Sequence, residues 1–347
     1  MTDAHFHSPP ALLAGRTGAL CAMVFLGSVV ALKTAEAQEA TPPKDPFSEQ
    51  TTQFAPGVVT VIPGDPSPEE TFQGPMTLKI FLDAHPELAW SGPTFKDGAP
   101  HFDPRSRTLV EMAKQVVLRR EIYCLEFSFK PLRQIYVDVP VGNGRRQRKL
   151  VWYMVYRVRY RGGDLRPAAD EVGGSKLYQR LESISYDHRR FFPLVHLKDH
   201  VGGREYLDQI IPSAKATIAA REQIKAKLFN SVSISKEKIP LSTDESAPGV
   251  WGVLTWIDVN PNIDYVSVFV SGLTNAFEQD GEGDDAPYRR KSLQLNFYRP
   301  GDAMAQTEDR IRFGVPSFEN EEEQAYVLSK YDLEEPLNYR WVFRSVK

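Results

Sequence analysis

The apolar positions of this chain pass through three regimes. An unbroken apolar run covers Ala19 to Leu32. From Met76 to Trp90, Leu78, Phe81 and Leu82 recur at helical spacing ahead of His85 and the helix-disrupting Pro86, and Leu109, Met112, Val116 and Val117 repeat the pattern over Thr108 to Arg119. Beyond Glu126 the period shortens to two. Glu126 to Val139 and Lys149 to Tyr160 are rich in β-branched and aromatic residues and flank Gly142-Asn143-Gly144, whose Asn-Gly pair accepts the positive φ of a tight hairpin turn. Along the second strand Trp152, Met154, Tyr156, Val158 and Tyr160 share one face; the other runs Val151, Tyr153, Val155 and then Arg157, Arg159 and Arg161. The expectation is one face in the core and one that turns basic toward its end.

After a loop that contains Gly162-Gly163 and Gly173-Gly174 the pattern predicts a strand over Phe191 to Lys198 and a helix over about 213–229. Strands follow at Val250 to Val259, Tyr265 to Leu273, Lys291 to Tyr298 and Arg310 to Val315. An acidic-fronted helix over 319–331 suits the positive end of a helix dipole, and a last strand runs from Leu337 to Phe343. Strands succeeding strands exclude a doubly wound α/β fold. The predicted class is mainly β with added helices (α+β): a helical lead-in over 76–120, then two β-sandwich-like parts, 121–212 and 230–347, linked by the helix at 213–229.

The amino-terminal run changes the picture of where the chain resides. Its fourteen residues fall short of the roughly 20 a membrane span needs. Arg16 precedes it, and Ala35-Glu36-Ala37 supplies the small-x-small pattern of a signal-peptidase site before Gln38. The expectation is a signal peptide over 1–37 and a secreted or periplasmic mature chain with no membrane span; the alternative is a membrane anchor through an uncleaved segment. Cys21 lacks the flanking residues of a lipoprotein site. Residues 38–75 hold Pro42, Pro43, Pro46, Pro56, Pro63, Pro66 and Pro68 and predict a disordered, extended tether.

Cleavage leaves 310 of the 347 residues, ample for a core. The formal charge of −3 gives no general reason to bind nucleic acid. Cys124 is then the one cysteine left, so no internal disulfide forms, and its apolar neighbours predict a buried structural thiol.

Candidate chemistry is sparse. Asp258, Asn260, Asn262 and Asp264 alternate as the oxygen donors of a calcium loop do, although Ile263 and Phe269 stand where an EF-hand needs Gly and Glu. The same residues suit a loop that bonds its own backbone. Asp280-Gly281-Glu282-Gly283-Asp284-Asp285 predicts a solvated hairpin tip. His188, His196 and His200 are potential zinc donors, but strand spacing holds the same-face pair His196 and His200 about 13 Å apart. Arg157, Arg159 and Arg161, continuing from Arg145, Arg146, Arg148 and Lys149, predict either a protected edge strand or a docking row for an acidic partner or anionic glycan. Trp152, Trp251, Trp256 and Trp341 sit within strands and predict core packing. The chain carries no Gly-x-Ser-x-Gly, His-Glu-x-x-His, Cys-x-x-Cys, phosphate-loop or dinucleotide motif.

The strings Leu150 to Val158, Trp251 to Trp256, Gly272 to Phe277 and Leu295 to Asp302 resemble an uncharacterised family of exported bacterial proteins, over roughly residues 105–347. The resemblance implies a bacterial envelope location and carries over no catalytic or binding residue. The functional expectation is an exported, non-catalytic envelope protein with an interaction or scaffolding role toward an envelope protein or glycan. A glycan- or ligand-binding sandwich that uses calcium is the alternative, and a hydrolase without a local motif the third.

Overall fold

Apolar positions two apart on successive segments demand sheets with buried faces, and the chain meets that demand with two sheets packed face to face. The computed structural model describes residues 59–72, 119–141, 144–172, 175–244, 248–279, 287–301, 310–318 and 320–345. All lie in one compact unit, Phe54–Lys347. The apolar run at 19–32, Asn143, the helical lead-in up to residue 118 and the acidic tip at 280–285 fall outside the described residues, while Gly144 takes the expected positive φ, 71°, between β3 and β4. Among those described, no helix is long and apolar enough to cross a membrane.

The first strands are β1 (Thr60–Ile62), β2 (Glu126–Phe129), β3 (Arg133–Pro140), β4 (Arg146–Arg159), β5 (Asp164–Val172), β6 (Ser175–Ile184), β7 (His188–Arg189), β8 (Leu194–Asp199) and β9 (Glu205–Leu207). Helix α1 (Pro212–Arg221), β10 (Leu228–Phe229), α2 (Ser231–Ile234) and β11 (Ile239–Pro240) lead into β12 (Val250–Ile257), β13 (Tyr265–Ser271), β14 (Phe277–Gln279) and β15 (Tyr288–Tyr298). The chain ends its described part with β16 (Arg312–Phe313), α3 (Glu321–Tyr331) and β17 (Tyr339–Ser345).

One sheet has the order β1-β2-β4-β12-β10, with β3 also paired to β4. The other runs β14-β15-β13-β8-β9, with β16 and β17 paired to β15. Their facing sides supply a single core: Phe127, Phe129, Trp152, Met154, Tyr156 and Trp256 from the first meet Val195, Leu197, Val268, Leu293, Leu295 and Phe297 from the second. Phe129 stands edge-on to Phe297 at 6.0 Å across the interface. Trp152 and Trp256 are fully buried, Trp251 and Trp341 partly so, as their strand positions predict. Cys124 is buried, and desolvation pushes its thiol up to about 12, an inert structural group.

Mainly β with added helices is therefore the observed class, but the division into two sandwich-like parts is corrected. β12, from the later part, lies register-paired along β4 from Val250↔Val158 to Ile257↔Val151. β8, from the earlier part, lies along β13 from Val266↔Asp199 to Ser271↔Leu194. Each sheet thus draws strands from both stretches. Alternation specifies which face is buried and leaves the pairing partner open.

Three further expectations give way for local reasons. Part of the expected tether, Thr60–Ile62, is edge strand β1 on β2, because Ile62 has a core site to fill and is 1% exposed. Glu70, in a 3-10 turn at Pro68–Thr71, then pairs with Lys291 of the opposite sheet. The helix expected over 213–229 stops at Arg221, where Lys130 Nζ draws in the Glu222 carbonyl (2.9 Å) and carboxylate (3.2 Å) and Gln223 turns to φ 54°. The stretch from Gly162 to Gly174, where a loop is expected, contains β5, which pairs with β6 as a hairpin. Helix α3 stands where predicted, capped by Asn320 accepting from the Glu322 amide at 2.8 Å.

Candidate interaction site

The arginine row is the first candidate to change character. From Val151 to Val158 β4 is an interior strand, flanked by β2 and β3 on one side and β12 on the other, and largely buried, whereas its first three residues are exposed. Val151, Tyr153 and Val155 pack under Ile211, Ala214 and Ile218 around α1. Arg159, 5% exposed, donates through Nε to Glu126 Oε1 at 2.5 Å, opposite it on β2. Arg161 lies 3.8 Å from the same carboxylate and donates to the Asp244 carbonyl. Arg157 reaches Ser128 at 3.5 Å and lies over Trp251. Arg157, Arg159 and Arg161 are ties between strands, which corrects the exposed-edge expectation for these three, while Arg145, Arg146 and Arg148 stay exposed. The missed signals were Val151, Tyr153 and Val155, apolar on the supposedly open face, and Glu126 on a neighbouring strand.

The oxygen-rich loop connects β12 in one sheet to β13 in the other. Val259 and Ile263 are buried there and hold the loop to the core. Asp258, at φ 57°, receives Lys149 Nζ at 2.9 Å, and Asn260 Oδ1 accepts from the Asn262 amide at 3.0 Å. The Asp264 carbonyl accepts from the Arg299 amide. Two of the four side chains, Asp258 and Asn260, are thus engaged by Lys149 and by the loop's own backbone. Among the described residues no three His, Cys, Asp or Glu side chains gather as a metal set. The histidines separate: His188 lies on β7, His196 on the outer side of β8, and His200 beyond its end.

His200 instead closes a polar chain on the outer face of the second sheet. Ser267 donates to Asn296 Oδ1 at 2.7 Å, and His200 Nε2 lies 2.7 Å from Ser267 Oγ. Ser267 is wholly buried, so this bonding orders the sheet and leaves the hydroxyl out of reach of solvent. Burial, reinforced by the Lys198 charge, holds His200 down at about 4. Gln294 donates to Asn296 Oδ1 at 2.9 Å and accepts from Arg340 Nε at 3.0 Å.

Arg340 brings this chain to the surface in a groove of about 580 Å³ between the end of α3 and the start of β17. Leu333 and Leu337 line it with Asp332, Glu334 and Glu335, and Asp332 lies 3.7 Å from Arg340. At the end of β9, Ser231 donates to Asp208 Oδ2 at 2.5 Å, and burial raises the Asp208 carboxyl above its ordinary range.

Strands β5 and β6 form a two-stranded sheet of their own, and at its base an ionic knot surrounds the buried Asp164. Arg189 donates through Nε to Asp164 Oδ2 at 2.8 Å and also pairs with Glu121, with its guanidinium 4.5 Å from the Tyr186 ring and 4.7 Å from that of Tyr123. Tyr160 donates to the same Asp164 oxygen at 2.7 Å, and Tyr186 to Glu121 at 2.7 Å. Burial opposes the Arg189 charge, and the two carboxylates more than offset it, raising its pKa. Gly162, at φ 75°, makes the turn into the hairpin where a side chain would strike Ser185. Beyond this base Ala168 is buried, while the hairpin carries the exposed pairs Arg166–Glu182 and Arg180–Asp170 and a half-exposed Tyr178.

No family model, curated protein or solved structure matches this chain.

Proposed function

We propose that this protein is an exported, non-catalytic interaction module of the bacterial envelope, a β-sandwich that holds a hairpin arm rigidly at its base and presents it to a partner. The observation that carries this reading is the contrast within β5–β6. Asp164, at its foot, is completely buried and tied to Arg189 and Tyr160, whereas the outer strands bear ion pairs left in water. Exposed pairs of this kind add little stability, about 0–1 kcal/mol each. A stiffly rooted arm with polar sides suits specific contact. Two-stranded hairpins are marginal alone in water, so the buried knot supplies the order the arm lacks.

The test is in-cell cross-linking capture of the tagged full-length chain, followed by mass spectrometry of the partners and of the protein's own amino terminus. The expected result is a start at Gln38 and one dominant protein partner, lost when Arg166 and Arg180 are both changed to Glu while the thermal midpoint stays within about 2 °C. Capture unaffected by the double reversal removes the arm from the interface. An intact Met1 removes export.

A further inference from the structure

Sheet edges are pairing templates, and proteins blunt them with short strands, prolines, bulges or covering elements. Most edges among the described residues follow this rule. β1 and β9 have three residues each and β10 two. β3 ends in Pro140 and has its Gln134 carbonyl bonded by Arg221 from α1. In the arm, β5 contains Pro167, and a bulge interrupts its register with β6.

β17 is different. Its seven residues, Tyr-Arg-Trp-Val-Phe-Arg-Ser, contain neither proline nor bulge and pair with β15 alone from Arg289↔Ser345 to Leu295↔Tyr339. The Asn296 amide bonds to the Asn338 carbonyl at 3.0 Å, which sets the hydrogen-bonded pairs at 294/340, 292/342 and 290/344. The backbone N–H and C=O groups of Tyr339, Trp341 and Phe343 therefore point to the open side, where no described strand meets them. Trp341 and Phe343 face inward along this edge and are only partly buried.

The charges on the strand identify its occupant. Arg340 and Arg344 lie on the outer face, and Arg344 stands opposite Arg290, a like-charge cross-strand pair that one carboxylate, Glu205 at 2.5 Å, counters. Antiparallel pairing of β17 with a second copy about Val342 would set Arg340 against Arg344 at both ends of the fullest overlap. Carboxylates in the incoming strand would balance the same row.

We propose that the open edge of β17 accepts an extended segment of a partner protein as an added strand, a segment that alternates apolar residues, placed beside Trp341 and Phe343, with carboxylates beside Arg340 and Arg344. This inference rests on the interaction reading above and assigns it a second surface.

The experiment measures fluorescence anisotropy of a labelled, end-blocked heptapeptide alternating valine and glutamate, titrated with the full chain. Binding is expected, with at least about a tenfold loss for a lysine-for-glutamate peptide and for one N-methylated on alternate residues. Phe343→Pro deletes an amide on the open side and leaves the β15 ladder intact, so it should abolish binding, whereas Phe343→Ala should change affinity less than about threefold. Absence of peptide binding, or equal binding of the N-methylated peptide, overturns the inference without requiring any variant to fold. A dimer in light scattering that Phe343→Pro dissociates also overturns it, by assigning the edge to a second copy. Photo-cross-linkers placed at Tyr339 and Tyr178 in cells separate the two readings. Capture from Tyr178 alone leaves the interaction role and removes the β17 edge; capture from neither position removes both.

Discussion

At the scale of single residues, the ionisable groups of this protein are explained by what they face rather than by their neighbours in sequence. His200 is the sharpest case. Its native form is neutral down to about pH 4, against an ordinary value of 6.5 in the unfolded chain. Between those values the unfolded state binds the extra proton, so stability is complete above about pH 6.5 and falls as pH drops toward 4, by an amount on the order of 3 kcal/mol. Asp208, whose carboxyl is raised, acts in the opposite sense and opposes part of this slope. Urea unfolding at pH 7 and 4.5 should show the loss in the native chain and a flatter profile for His200→Gln. An unchanged profile in the variant would assign the acid limb to other groups. In the sequence His200 is one of three histidines weighed as zinc donors; its link to Ser267, 67 positions away, has no local signature.

At the scale of elements, helix α1 shows how an interior charge can terminate and dock a helix. Glu222 has a side chain 1% exposed, held by Lys130 at 3.2 Å, Arg133 at 2.9 Å and the Tyr153 hydroxyl at 2.6 Å. Removing it strands Lys130, itself only 5% exposed, in an apolar layer. Glu222→Ala should therefore cost about 3–5 kcal/mol in urea unfolding, well beyond an exposed ion pair. A loss below about 1 kcal/mol would mean that water reaches the site and that α1 is held by its apolar face alone. Helix propensity across 213–229 was legible in the sequence, and so was the Ala214 and Ile218 face that packs on the sheet. Lys130 lay in a different stretch and overrode the propensity of the last eight positions.

At the scale of the molecule, the two sheets are interleaved, and this decides how the chain can fold. β12 closes onto β4 and β13 onto β8, so neither 121–212 nor 230–347 contains a complete sheet. Expressed separately, the two fragments should lack near-ultraviolet circular dichroism and regain it on mixing, and the whole chain should unfold in one calorimetric transition. Two resolved transitions, or a folded fragment, would restore the two-part description. The β1 segment and the Glu70–Lys291 pair join the two sheets across one end of this body, which is why part of a proline-rich stretch is ordered.

The sequence by itself determined the mainly β class, most of the long strands, helix α3 and the burial of Cys124, Trp152 and Trp256. Each follows from local periodicity, capping or the apolar character of immediate neighbours. Only the tertiary structure decided that the two expected sandwiches are one, that Arg157, Arg159 and Arg161 tie strands together, that the Asp258 carboxylate meets Lys149, and that among the described strands β17 pairs with β15 alone. Those outcomes depend on which distant strand lies alongside. Alternation fixes the face a side chain occupies, but a strand offers equivalent backbone groups to any neighbour. The choice among neighbours is made by the packing of the whole core.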